Sequence, residues 1–302
     1  MLDPRIVTAL REVAIETGGP ELEPIVIDLI TQARSALRSP SLHLETAMEA
    51  EKYASQWLDV SSGACFLLLH HLSHSKNWCT PSMSGLGPDE SQRLRLAILL
   101  LFKSNIQMQL ALSNFILTLN ICSAMPIQRS LLESTLITYF CCIDEAFAAR
   151  YITELDPDKE RASFYSYLRH QELQKRLSQL RAKGLLGLVG KEARTRLYPG
   201  YSSATHFTSF GRLIAQNKLP DGSVQVSSSE VSNGLTREIA GHTVDLSFEF
   251  LAQMLHLVMH SEAFSTKEGG AASHIAHHCV LAYGNSLVSG ELYEVITGKG
   301  WD

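Results

Sequence analysis

SNIQMQLALSNFILTLNICSAMPIQRSLLE, residues 104–133, decides the fold. From Ser104 to Gln128 it holds no charged side chain, and then Arg129 and Glu133 arrive one helical turn apart. Apolar residues recur at three- and four-residue intervals, the period of an α-helix and not the alternation of a strand. Length alone would let the stretch span a bilayer. Composition argues for a buried central helix instead, because Asn105, Gln107, Gln109, Ser113, Asn114, Thr118, Asn120 and Ser123 would otherwise sit in lipid. The nearest unbroken apolar run, Leu96 to Phe102, is too short for a span.

Working outward, Asp89 and Glu90 place acids in the first turn of a helix reaching about Ser123, as the helix dipole prefers. Pro126 suits the first turn of the next helix, 126–152. Upstream, helices are expected over 3–17, 21–38 and 42–74, broken at Gly18-Gly19-Pro20 and Ser39-Pro40-Ser41. Ser75 to Pro88 is the least regular text and marks the main boundary. Downstream, Asp156-Pro157 reads as an N-cap and first helical residue. Shorter helices follow near 190–197 and 201–217. A long helix over 235–264 contains HTVDLSFEFLAQMLHLVMH, and a last one covers 271–288 after a break at Lys267-Glu268-Gly269-Gly270. The expectation is an all-α multi-helix bundle with an N-terminal helical region (1–85), a central bundle (86–265) and a C-terminal helix and tail (266–302). No GxGxxG or GxxxxGK[ST] occurs, so no nucleotide-cofactor motif is present and no cofactor is expected.

With 45 % hydrophobic and 19 % charged residues in 302 positions, the chain can bury a sizeable core. A net charge of −5 argues against a surface devoted wholly to nucleic acid. Six cysteines are scattered through helical text, and the charged, amphipathic opening MLDPRIVTALREV is unlike a secretory leader. Both features fit a reducing cytoplasm, with cysteines as small core residues.

Four groups of polar residues stand out. Arg129 and Glu133 share a helix face in strongly apolar surroundings, which predicts either a register-fixing ion pair or one wall of a central polar pocket. Tyr201, Ser202, Ser203, Thr205 and His206 crowd hydroxyls and an imidazole behind Pro199-Gly200, either as caps or as the other wall. Residues 169–196 carry Arg169, Lys175, Arg176, Arg181, Lys183, Lys191, Arg194 and Arg196 for a net +6, leaving −11 elsewhere; the segment is a solvated face or an RNA-binding surface. Histidines gather at His70, His71 and His74 and again at His274, His277 and His278 without HExxH or paired CxxC spacing, so no metal site is expected. The binding residues expected from this reading are Arg129, Glu133, Tyr201, Ser203 and His206.

Residues 90–265 resemble an uncharacterised bacterial all-helical family grouped near the HEPN (higher eukaryotes and prokaryotes nucleotide-binding) bundles. The text that carries the resemblance is RSLLE at 129–133, YSSATH at 201–206 and the long helix after 235. It implies a helical bundle, a homodimer, and, in the ribonuclease branch, metal-independent RNA cleavage by an Arg-x4–6-His motif. Two stretches have that form, Arg38-SPSL-His43 and Arg237-EIAG-His242, with Glu238 where the family commonly has Asn or Asp. Two functions follow as expectations: a binding or regulatory protein with a central polar pocket, or a HEPN-like RNA-binding or RNA-cleaving protein.

Overall fold

A computed structural model describes residues 3–18, 24–28, 30–31, 49–75, 78–118, 121–153, 223, 234–258 and 267–289. Among these residues there is no strand, and the protein is an all-α bundle. Among the described residues the longer helices are α1 (Pro4–Gly18), α2 (Glu49–His74), α3 (Pro88–Leu117), α4 (Ile121–Ile143), α5 (Glu145–Thr153), α6 (Gly234–Val258) and α7 (Lys267–Val288), with a 3-10 turn at Pro81–Met83, and residues 24–28 and 30–31 are helical as well.

Local chemistry accounts for several helix ends. α2 has Glu49 and Glu51 in its first turn and His71 and His74 in its last, complementing the dipole at both ends. At the start of α3, Pro88 occupies the first turn, where its missing N–H costs nothing, and the Glu90 carboxylate accepts from the Gly87 N–H at 3.0 Å. Four places differ from the sequence expectation, the first being that α3 stops at Leu117 and not near Ser123, with the Thr118 N–H donating to the Asn114 carbonyl. α4 begins at Ile121, so Pro126 is its sixth residue and lies inside it, where the missing N–H forfeits the bond otherwise donated four residues back. The helix expected over 126–152 is two helices. Asp144 separates them, and its carboxylate accepts from the Phe147 N–H at 3.0 Å, which caps α5. The Lys267–Gly270 break is instead the first turn of α7.

α3 lies at the centre, packed against α2, α4, α5 and α6. It is the one described helix long and apolar enough to cross a membrane by length and composition. Here it buries Leu94, Ile98, Phe102, Ile106, Leu112 and Ile116 against its neighbours. Two of the polar residues that spoke against a span, Asn105 and Ser113, have protein partners. Asn105 donates to Ser134 at 2.7 Å and accepts from Thr135 at 3.4 Å on α4. Ser113 bonds Ser55 at 2.6 Å and donates to Asp59 at 3.2 Å on α2. One apolar cluster draws residues from each of α1 to α7 and from Val26 and Ile30. α1 is fastened to it by Arg5, whose guanidinium lies 4.9 Å from the centre of the Tyr53 ring and pairs with Asp3 and Glu49.

Cys65, Cys141, Cys142 and Cys279 are buried free thiols. Burial pushes the Cys65 and Cys279 thiols up to about 12, so they stay protonated and behave as small apolar side chains.

Candidate functional site

The expected binding residues divide into two sets. Tyr201, Ser203 and His206 lie outside the described residues, as do the basic stretch 169–196 and the Arg38–His43 pair. Arg129 and Glu133 lie on α4 and form an ion pair, Nε to Oε1 at 2.9 Å, with side chains 22 % and 19 % exposed. That exposure places the pair at the rim of the core and not in its centre.

What the pair faces follows from the contacts of its neighbours. Gln128 donates from Nε2 to the Ile239 carbonyl at 2.9 Å and to the Thr243 hydroxyl, so Gln128 marks the face of α4 against α6. Ser134 and Thr135 bond Asn105 and mark the face against α3. At about 100° per residue, Arg129 and Glu133 stand on the flank of Gln128 opposite α3. On α6, Ile239 and Thr243 face α4, and the Ser247 carbonyl and the Phe248 ring meet Ser61 and Trp57 of α2. His242, Glu249 and Gln253 are on the other flank. Because α2 and α3 pack on each other, they occupy one side of the α4/α6 seam. Arg129, Glu133, His242, Glu249 and Gln253 therefore share the opposite side. Arg129 and His242 each adjoin a member of the Gln128–Thr243 contact in sequence, so they stand at the same level along the seam.

The α6 flank is a continuous polar stripe on an otherwise apolar helix. Glu238, His242, Asp245, Glu249 and Gln253 follow at steps of four, three, four and four residues, within about 80° of one another around the axis. Side-chain exposure is 63 % at Glu238 and 28 % at His242, whereas Glu249 and Gln253 are 4 % and 6 % exposed. The stripe thus runs from the surface into the interior. Gln253 donates from Nε2 to Glu249 at 2.8 Å.

At the outer end, His242 lies between two carboxylates, 3.6 Å from Asp245 through Nδ1 and 3.6 Å from Glu238 through Nε2. Asp245 is itself fixed by the Tyr283 hydroxyl of α7, which donates to it. Burial disfavours charge on His242, but the two carboxylates outweigh burial and raise its pKa above 6.5. A pKa raised by folding stabilises the fold fully below the ordinary value of 6.5, and the gain is lost as pH rises through the folded value. Stability therefore declines as pH increases above about 6.5. Urea titrations across that range should show the decline in the native protein and a flatter profile in His242→Gln. An unchanged profile in the variant would mean that His242 is not the responsible group. For Tyr283, burial first and then the adjacent Asp245 raise the phenol well above its usual value, so it remains a donor.

Arg237, the partner of His242 in the Arg-x4-His spacing, stands about 140° around α6 from it and outside the stripe. The histidines of α2 and α7 are arranged for local bonds. His74 Nδ1 lies 2.7 Å from the His70 carbonyl, and His278 Nδ1 lies 2.6 Å from that of His274. Among the described residues, no group of three His, Cys, Asp or Glu side chains is placed to hold a metal ion.

Asp245, Glu249, Gln253 and Tyr283 were not singled out from sequence. The stripe was readable in HTVDLSFEFLAQ as polar residues one turn apart. The Tyr283 bond was not, because it joins two helices across 38 positions. No protein-family model, curated protein or solved structure matches the chain.

Proposed function

We propose that this chain is a helical binding protein whose ligand site is the polar flank of the α4/α6 seam, between the Arg129–Glu133 pair and the α6 stripe. One observation carries the reading. Two polar rows, more than a hundred residues apart in sequence, stand on the same side of one seam, and one of them continues from solvent into the interior. Structural ion pairs have no need of that continuity. A ligand that threads inward does, since apolar walls with a few fixed polar groups are the usual form of a small-molecule site.

A thermal-shift screen over anionic, cationic and neutral metabolites tests this. At least one class should raise Tm, and the rise should shrink in Arg129→Gln or Glu249→Gln. A shift that survives both substitutions, or an empty screen, overturns the reading.

A second reading, HEPN-like RNA binding or cleavage, is favoured by one feature. His242 is held by a carboxylate that a tyrosine holds in turn, the arrangement that orients an imidazole as a general base. A single-stranded oligoribonucleotide in the same screen separates the two. RNA binding should fall steeply with salt, because each phosphate contact releases counterions.

A further inference from the structure

We propose that the outer face of α3 is a self-association surface, on which two copies of this chain pair with their α3 helices antiparallel. α3 is the one described helix apolar and long enough for a bilayer, yet only 39 % of that apolar stretch is buried. At about 100° per residue, Leu94, Ile98, Phe102, Gln109 and Ile116 share one side of the helix, and all of them are buried. Asp89, Arg93, Leu96, Leu100, Lys103 and Gln107 fall within about 40° of a line along the opposite side, and all six are exposed. Leu96 and Leu100 are 58 % and 56 % exposed. A single leucine at the surface is ordinary. These two stand one turn apart, with Leu99 half-buried beside them. The other exposed large apolar residues among the described ones, Ile25 and Val288, lie on other segments.

Charge selects the occupant of this face. Asp89 and Lys103 stand seven positions on either side of Leu96. Neither they nor Arg93 form an ion pair among the described residues. An antiparallel pair centred on Leu96 therefore brings Asp89 of each copy opposite the partner's Lys103, and both copies gain the contact at once. Leu96 meets Leu96 at the two-fold axis, and each Leu100 reaches the partner's Leu96 diagonally. A parallel pair would instead set Asp89 against Asp89 and Lys103 against Lys103, which repels. The antiparallel arrangement also places the positive end of each helix dipole beside the negative half of the other. A strip complementary to its own reverse fits a second copy. An anionic bilayer is a poorer fit, because it would meet Asp89 on the same strip as Arg93 and Lys103. One helix pair is a small interface, so the dimer is a reversible one. The pairing does not involve the α4/α6 flank, which lies on the side of the seam away from α3.

Sedimentation equilibrium of the full chain over roughly 1 µM to 1 mM tests the pairing. The native protein should pass reversibly from monomer to dimer with rising concentration. Leu96→Gln combined with Leu100→Gln should leave it monomeric. Asp89→Lys and Lys103→Glu should each weaken the dimer by roughly tenfold or more, since each change sets like charges against one another twice. An equimolar mixture of these two single variants is the sharpest sample. In a mixed dimer the lysine introduced at position 89 faces the glutamate introduced at position 103, and the native Asp89 of one copy faces the native Lys103 of the other. The mixture should therefore regain the native affinity. Circular dichroism of each variant separates a loss of pairing from unfolding. A native protein that stays monomeric throughout overturns the proposal, as does a dimer indifferent to Leu96 and Leu100. A mixture that fails to recover also overturns it, because the helices then do not meet in this register. If the monomer instead co-sediments with phosphatidylserine vesicles, and the double leucine substitution abolishes that, the face docks on lipid and the second copy is the wrong occupant.

Discussion

Trp57→Ala should lower the stability of the bundle by about 3–5 kcal/mol, the usual cost of truncating a fully buried large aromatic. Trp57 is 0 % exposed and sits where three helices meet. Its ring lies edge-on to Phe248 of α6 at 5.5 Å and to Tyr283 of α7 at 5.7 Å, with Tyr53 one turn away at 6.4 Å. Such pairs add stabilisation beyond the area they bury. Deleting the indole leaves a cavity that α6 and α7, held apart by their own contacts, cannot close. Trp57→Phe should cost much less. It keeps most of the aromatic contact and removes an indole N–H that is buried without an acceptor. Urea denaturation of both variants is the measurement. Equal losses for Ala and Phe would show that the N–H matters more than packing, contrary to this account.

Ser113→Ala should cost about 1–3 kcal/mol, far more than deleting one hydroxyl from a surface. Asp59 is 1 % exposed and accepts from Ser113 at 3.2 Å, and Ser113 is bonded in turn to Ser55 at 2.6 Å. A carboxylate in the interior depends on its donors, so losing one is felt at nearly its full desolvation cost. Because Ser55 acts through Ser113, a double-mutant cycle between Ser55→Ala and Ser113→Ala should be non-additive. The double variant should fall short of the sum of the singles. Additive losses would mean that the two hydroxyls serve separate partners.

How legible the fold was depended on the range of the signal. The heavily apolar text of α2, α3 and α6 sets their existence and type, because a three-to-four-residue period needs only neighbouring residues to be read. Pro126 misplaced the start of α4, since proline favours a first turn but here stands inside the helix, at its sixth residue, at the cost of one backbone bond. The Asp144 break was hidden because Asp144-Glu145 reads equally as a surface turn of one long helix. Only the bond from the Phe147 N–H distinguishes it. The Gly269-Gly270 pair misled for the opposite reason. Glycine weakens a helix by about 1 kcal/mol, which the packing of α7 against α1 and α2 outweighs.

For the candidate site the division is sharper. Sequence by itself determined that Arg129 and Glu133 share a face of α4, that polar residues recur each turn along α6, and that α3 carries neutral polar groups along an uncharged stretch. Each follows from spacing along a single helix. Only the tertiary structure decided that the α4 and α6 rows flank one seam, that Asn105 and Ser113 are satisfied by α4 and α2, and that Tyr283 anchors Asp245. Gln128 and Ile239 are 111 positions apart. Which helix faces which is set by the summed fit of many buried surfaces and by the connections between them, and no local period carries that information.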